Sequence, residues 1–252
     1  MNDRLRQAHA SLNVASRLGK AEKILRLLGP LKFGERSFRV LEVGTGAGVI
    51  AHYFSQRLGE RGMVDAVDVR DQRVVCDGYR FHLTTGTALP FDAGTFDIVV
   101  SNHVIEHVGP LDEQVRHVRE LSRVLRPDGV GYLAVPSRWQ VVEPHYGVAF
   151  LGWLPPSWRS RYLRARGRGD IYDCEPLSMG VLESFFDLAG VQHRNLLVEA
   201  VHAMNQGGSP SLPIRLVSRL PAGVLRTAQR LSPTHIYLFA HSRDMLGRGA
   251  CS

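Results

Sequence analysis

Cysteine is scarce in this chain. Its 252 residues include three, Cys76, Cys174 and Cys251, widely separated. An odd, scattered set argues against a disulfide framework and fits free thiols in a reducing compartment. No Cys-x-x-Cys and no Cys/His pair has metal-ligand spacing, so spacing predicts no metal centre. No apolar run approaches the roughly 20 residues that a membrane-spanning helix needs. Met1 to Lys20 lacks the apolar centre of a secretory signal. These absences make the cytoplasm the expected location, and the chain shows no internal repeat and no low-complexity tract.

What is present suits one α/β domain. Hydrophobic residues make up 44% of the chain, enough to bury a sizeable core at this length. The net charge of +7 favours anionic partners such as nucleic acid, phosphates or a membrane surface, without bearing on the fold.

The chain is organised around Val40 to Gly48. Strand formers Phe38, Val40, Leu41 and Val43 give way to Gly44, Gly46 and Gly48, with Thr45 between the first two. Val49, Ile50, Tyr53, Phe54 and Leu58 then recur at helical spacing, so the expected unit is strand, glycine turn, helix. Glycine lets such a turn bend sharply and approach a ligand closely. The turn lacks the Gly-Lys-Ser/Thr ending of a phosphate-binding loop. It also lacks the third glycine of a dinucleotide fingerprint, because Val49 stands in the sixth position of G-x-G-x-x-G. The spacing is G-x-G-x-G, preceded by Glu42; a plain strand-to-helix packing turn is the simpler alternative.

Before this unit, residues 4–28 read as a helix with Leu18, Ala21, Ile24, Leu25 and Leu28 on one stripe, stopped at Gly29-Pro30. Residues 1–34 are thus expected to form an N-terminal helical cap, over the ligand cleft or merely over a sheet edge. A second strand at Met63–Val69 ends near Asp68, twenty residues after Gly48. The ends of the first two strands of a right-handed βαβ unit are neighbours, so Asp68 is placed to accept from both hydroxyls of a ribose. Further strands are expected at 81–84, 94–102, 130–135, 191–201 and 235–240. Helices are expected over 111–125 and after Ser178, with one or two short basic helices in 214–231. Residues 137–176 break the alternation. They hold Trp139, Trp153 and Trp158 and the run Arg159, Arg161, Arg164, Arg166, Arg168. A forty-residue excursion of this kind is expected to be a lid or an acceptor-binding insertion. The mostly alternate arginines suggest an irregular or extended segment, with one or two of them at a pocket.

Taken in order, Glu42 to Gly48, Asp68, Leu89-Pro90-Phe91, Phe96 to Val100, Glu106-His107 and Leu121 to Gly129 resemble the small-molecule branch of the class I S-adenosylmethionine-dependent methyltransferases, over about residues 35–136. The resemblance implies a Rossmann-like three-layer αβα sandwich in a single domain, with a seven-stranded, mostly parallel sheet whose last strand is antiparallel. It implies S-adenosyl-L-methionine at the carboxyl ends of the strands, leaving as S-adenosyl-L-homocysteine. Carried onto this chain, the turn Gly44, Thr45, Gly46 and Gly48 lies against the methionine part, and Glu42 holds the loop and the amino group. Asp68 takes the ribose, and Asn102 lines the sulfonium end. Where many relatives have Gly-Asp this chain has Thr84-Thr85, so Thr85 would be the weaker, neutral partner of the adenine amino group.

Methyl transfer from a sulfonium needs alignment and desolvation, and a base when the acceptor is a hydroxyl or a protonated amine. His103 and His145 are the candidates. Glu106-His107 more simply organises the start of the following helix. The expected acceptor is a small molecule, acidic or lipid-like, and peripheral membrane contact is compatible with the charge. A nucleic-acid methyltransferase is disfavoured because Asn102-His103-Val104-Ile105 is not Asn/Asp-Pro-Pro-aromatic, and no recognition domain is evident. A non-catalytic cofactor-binding protein is the other alternative.

Overall fold

Alternation of side chains along the central strands fixes the architecture. In a computed structural model, which describes residues 13–29, 37–206 and 211–247, the glycine turn follows strand β1 (Phe38–Val43). Then come β2 (Gly62–Asp68), β3 (Arg80–Leu83), β4 (Phe96–Asn102) and β5 (Leu125–Pro136). A two-residue hairpin of β6 (Val142–Glu143) and β7 (Val148–Ala149) stands apart from the main sheet. Strands β8 (Gln192–Asn195) and β9 (Thr234–Ala240) complete a seven-stranded sheet of order β3-β2-β1-β4-β5-β9-β8. The first five are parallel in their pairings, and β9, last in sequence, runs antiparallel to both neighbours.

Val40, Ile98, Val100, Tyr132, Ala134, Ile236 and Leu238 face one layer, with helices α1 (Val14–Leu28) and α2 (Val49–Leu58). Leu41, Val43, Val99, Leu133, Val135, Tyr237 and Phe239 face the other, with α3 (Leu111–Val124). The excursion carries α4 (Pro156–Ala165), and α5 (Met179–Leu188) joins α3. After β8, α6 (Leu197–Gln206) returns to the α1 layer, followed by α7 (Leu212–Val217), α8 (Ala222–Thr227) and the terminal turn α9 (Arg243–Gly247). Each apolar side chain buried on a face contributes on the order of 2 kcal/mol, so both covering layers are held by the period-two pattern itself.

Four expectations need correction. α1 begins at Val14, where Asn13 Oδ1 accepts from the Ser16 N–H at 3.0 Å; residues 4–12 lie outside the described residues. β5 pairs from Leu125, not Val130: Leu125 sits opposite Phe96, Pro127-Asp128-Gly129 bulges out, and pairing resumes at Val130 opposite Ile98. The strand expected over 191–201 is only Gln192–Asn195, because Asn195 Oδ1 accepts from the Leu197 N–H at 2.9 Å and turns the chain into α6. The arginine run is not extended either: Arg159, Arg161 and Arg164 lie on α4, which starts with proline at its first position.

β1 pairs with β2 on one side and β4 on the other, and the chain winds away in opposite directions from that point. A crevice therefore opens beyond their carboxyl ends. Val43 is level with both Val67 and Ser101, so Gly44, Asp68 and Asn102 leave the sheet at nearly one height.

Candidate cofactor and acceptor site

The glycine turn is tied to the end of β2. Gly44 and Thr45 N–H groups both donate to the Val67 carbonyl, at 2.9 and 3.2 Å, and the Thr45 hydroxyl donates to the same oxygen at 3.2 Å. Thr45 thus points back at the sheet. Gly46, at φ 54°, donates its N–H to Asp68 Oδ2 at 2.8 Å. Gly44, at φ 77°, passes so close to the segment after β4 that any Cβ there would run into the Val104 side chain. Gly48 answers to a different neighbour: it caps α2, and a Cβ would strike the Val75 carbonyl and the Tyr79 hydroxyl. Val74 and Val75 N–H groups both donate to the Ala47 carbonyl at 3.0 Å, so the loop before β3 clamps this end of the turn.

Glu42 is 3% exposed, and its Oε2 accepts from the Ala51 N–H at 3.0 Å, pinning β1 to the first turn of α2. Burial raises its carboxyl to about 8, against the opposing pull of the Arg17 charge and the Ala51 N–H.

Beyond these strand ends lies a cavity of about 400 Å³. Gly44, Gly46 and Asp68 form one wall, and Asn102, His103 and Val104 form another. Thr84, Gly86 and Thr87 close the end after β3. Glu42, Thr45, Gly48 and Thr85 are not among its lining residues. Thr85 is exposed, because the Thr84 N–H donates to the Asp68 carbonyl at 3.0 Å and turns Thr84 inward instead. Asn102 Nδ2 is buried without a hydrogen-bond partner. A buried donor left in that state costs about 1–3 kcal/mol, which an acceptor bound in the cavity would recover. The side-chain-free cradle at Gly44 and Gly46, the Asp68 carboxylate and this donor fit an amphoteric nucleoside such as S-adenosylmethionine.

Residues 41–133 match the family model described as a methyltransferase domain. Over these residues the chain is similar to methyltransferase domains. It is 29% identical over 105 residues to the ubiquinone/menaquinone biosynthesis C-methyltransferase UbiE of Idiomarina loihiensis, covering 37% of this chain and 41% of that protein. It is 30% identical over 132 residues to a ubiquinone biosynthesis O-methyltransferase of Parvibaculum lavamentivorans, covering 46% of this chain and 49% of that one. The chain spans under half the length of these two relatives. Among solved structures, the YcgJ protein of Bacillus subtilis superposes with a TM-score of 0.51 at 17% identity, over 87% of this chain and 97% of that one, a likeness of fold.

The histidines after β4 gather around one buried acid. His103 has φ 60° and donates its N–H to the Ala134 carbonyl at 2.8 Å. Glu106 is fully buried, with His103 Nδ1 at 3.6 Å and His107 Nε2 at 3.9 Å from its Oε1. Burial favours the neutral acid, but His103 and then His107 outweigh it and hold the Glu106 carboxyl below its ordinary value. His117 reaches the cavity from α3, with Nε2 3.0 Å from Ser101 Oγ; burial lowers it to about 4, so it is neutral at physiological pH.

His145 belongs to a different group. Its Nδ1 is 2.6 Å from Glu143 Oε1, while Glu143 Oε2 accepts from the Tyr146 N–H at 2.7 Å. Burial works against its protonation, but Glu143 outweighs burial and raises its pKa. Its ring meets the His107 ring edge-on, with centroids 4.8 Å apart.

The excursion contributes Pro144, His145 and Asp173 to the cavity, but none of its tryptophans. Trp139, Trp153 and Trp158 are exposed, because the small core under the hairpin is already filled by Tyr146, Val148, Leu151, Leu163 and Cys174. None of the five arginines lines the cavity. Arg159 is 2% exposed and acts as an internal strut, donating to the Leu154 carbonyl at 3.0 Å and to Glu175 Oε2 at 3.1 Å. The other four are exposed. Sequence reasoning missed the cations that do line the cavity, Arg17 and Lys20 of α1 and Arg70 after β2. Arg17 and Lys20 lie three apart on α1, and an i, i+3 pair of basic residues was the available signal.

Proposed function

We propose that the protein transfers the sulfonium methyl of S-adenosylmethionine to a small, acidic or lipid-like acceptor. The observation that carries this reading is the meeting of Gly44, Gly46, Asp68, Asn102 and His103 on one cavity at the carboxyl ends of β1, β2 and β4. The cofactor, when bound, supplies a methyl already activated on sulfur. The chain's residues position and desolvate it. Asp68 presents acceptor oxygens for the ribose hydroxyls, steadied by the Gly46 N–H. Gly44 and Gly46 leave room for the methionine chain, and Thr84, Gly86 and Thr87 bound the adenine end. The Asn102 amide offers its unused donor beside the sulfonium end. His103, next to Asn102 and backed by Glu106, is the group placed to take a proton from an acceptor hydroxyl or ammonium.

Two observations support the acceptor class. Arg17 and Lys20 bring positive charge to the cavity wall, which suits an acidic acceptor. The relatives named for ubiquinone biosynthesis favour a lipid-like one. Residues 211–231 add a surface that fits the second. Leu212, Leu216, Leu220, Val224 and Leu231 are exposed there among exposed Arg215, Arg219, Arg226 and Arg230, and no acid lies between Glu199 and Asp244. Such a basic amphipathic face suits the surface of an anionic bilayer. No helix of the described residues is long and apolar enough to cross a membrane.

The test is methyl-labelled cofactor incubated with the protein and a cell extract, followed by fractionation. Label in the solvent-extractable small-molecule or lipid fraction is the expected result. Label confined to RNA or protein would overturn the acceptor class, and no label above a protein-free control would favour a non-catalytic binder.

A further inference from the structure

On the acceptor side of the cavity, three side chains from distant parts of the sequence converge on one point. Cys174 is buried, with its Sγ 3.6 Å from His107 Nδ1 and 3.9 Å from His145 Nδ1. One ligand atom from each of the three lies within 4.8 Å of the other two. A tetrahedral zinc ion binds sulfur at about 2.3 Å and imidazole nitrogen at about 2.0 Å, which sets neighbouring ligand atoms roughly 3.5 Å apart. The observed sulfur-to-nitrogen separations match that spacing to within a few tenths of an ångström.

The surroundings suit a cation. Asp173 Oδ1 lies 3.7 Å from the sulfur, and Glu143 and Glu106 stand beside the two imidazoles, so a divalent ion at this point meets three nearby carboxylates. One carboxylate sits where a ligating imidazole needs it: Glu106 Oε1 lies on the Nε2 side of His107, at 3.9 Å, opposite the Nδ1 that faces the sulfur. Glu143 Oε1 lies 2.6 Å from His145 Nδ1, the nitrogen that itself faces the sulfur, so an ion at that point takes the place of this hydrogen bond. A carboxylate behind a ligating imidazole fixes its tautomer and raises its basicity. Glu106 has both carboxylate oxygens buried without a hydrogen-bond partner, so it has acceptor capacity left for a His107 N–H drawn toward it.

We propose that His107, His145 and Cys174 form a zinc site in the wall of the cavity, with its fourth position open to an acceptor bearing an ionisable hydroxyl or thiol. The donor set selects zinc over magnesium or calcium, which take oxygen ligands. Three protein ligands with a fourth place free is the pattern of a catalytic rather than a structural zinc. His107 and His145 line the cavity while Cys174 lies behind them, so the free place faces the bound acceptor. The role in methyl transfer rests on the function proposed above; the binding of the ion does not. Coordination lowers the pKa of the acceptor hydroxyl, and its proton passes to His103, the base assigned above. The oxygen lone pair then forms the new bond to the methyl carbon, and the carbon–sulfur electron pair returns to sulfur as a neutral thioether.

The experiment uses tag-free full-length protein, stripped with chelator and titrated with cobalt(II), then with zinc in competition. The expected result is one equivalent of cobalt with a thiolate-to-metal charge-transfer band, displaced by zinc. The band should vanish in Cys174→Ser and persist in Cys76→Ser, and zinc affinity should fall about tenfold or more in His107→Gln and in His145→Gln. S-adenosylhomocysteine binding by Cys174→Ser serves as the fold control, so a failed cofactor site and a failed metal site give different readings. A wild-type protein with no charge-transfer band, or a band unchanged in Cys174→Ser, would overturn the site and leave a hydrogen-bonded thiol–imidazole cluster.

Discussion

Glu42 is an acid that burial keeps protonated near neutrality, and this has a signed consequence for stability. Its folded value is about 8 against an ordinary 4.5, so the folded chain binds the proton more tightly than the unfolded one. Stability therefore falls as pH rises from about 4.5 towards 8. We predict that Glu42→Gln, which mimics the neutral acid and keeps an acceptor for the Ala51 N–H, removes that slope. Relative to the variant, the wild type should lose about 3 kcal/mol between about pH 5 and about pH 8, read from urea midpoints. Parallel pH profiles would mean that Glu42 is ionised in the free protein. At this scale the sequence was half legible. Asp68 and Gly44 sit on the cavity because strand ends and glycine spacing fix them. Thr85 does not, because a one-residue turn after β3 decides whether Thr84 or Thr85 faces inward. His107, His145 and Cys174 were invisible as a group, since Cys174 lies 67 and 29 residues from its partners and only the folded excursion closes the gap.

Elements built on period two or on a long apolar stripe were readable: β1, β2, β4, β9, α2 and α3 stand close to where the pattern puts them. The failures came where a local polar group overrode the pattern. Asn195 ends β8 and starts α6 inside a run that otherwise reads as strand-forming. Residues 137–176 stood out as a break in the alternation, yet their interior was not readable, because Arg159 is buried as a strut while the tryptophans stay outside. That arrangement predicts a local phenotype. Arg159→Ala leaves the Leu154 carbonyl without its donor and removes the partner of the half-exposed Glu175. The expected cost is about 1–3 kcal/mol, confined largely to residues 137–176. Limited proteolysis should cut this segment faster in the variant while the global melting transition moves less. Equal protection of the segment in both proteins would contradict the strut.

For the whole molecule, strand order places one cavity at the switch between β2 and β4 and leaves a basic, apolar-studded surface at residues 211–231. If that surface meets anionic bilayers, the protein should sediment with vesicles containing acidic phospholipid, and less so as salt rises. Replacing Leu216 and Leu231 with Glu should abolish sedimentation without altering the melting temperature, since both are exposed. Binding unchanged by these substitutions would move the contact elsewhere.

The central claim is that the cavity binds the methyl donor, and calorimetric titration with S-adenosylhomocysteine tests it most directly. A single site is predicted, with stability rising by about 2.7 kcal/mol at a ligand concentration of about 100 times the dissociation constant. In Asp68→Ala the ribose loses its acceptor and the Gly46 N–H its anchor, so affinity should fall by more than about tenfold. No heat at millimolar ligand, or equal affinity in wild type and Asp68→Ala, would contradict the account.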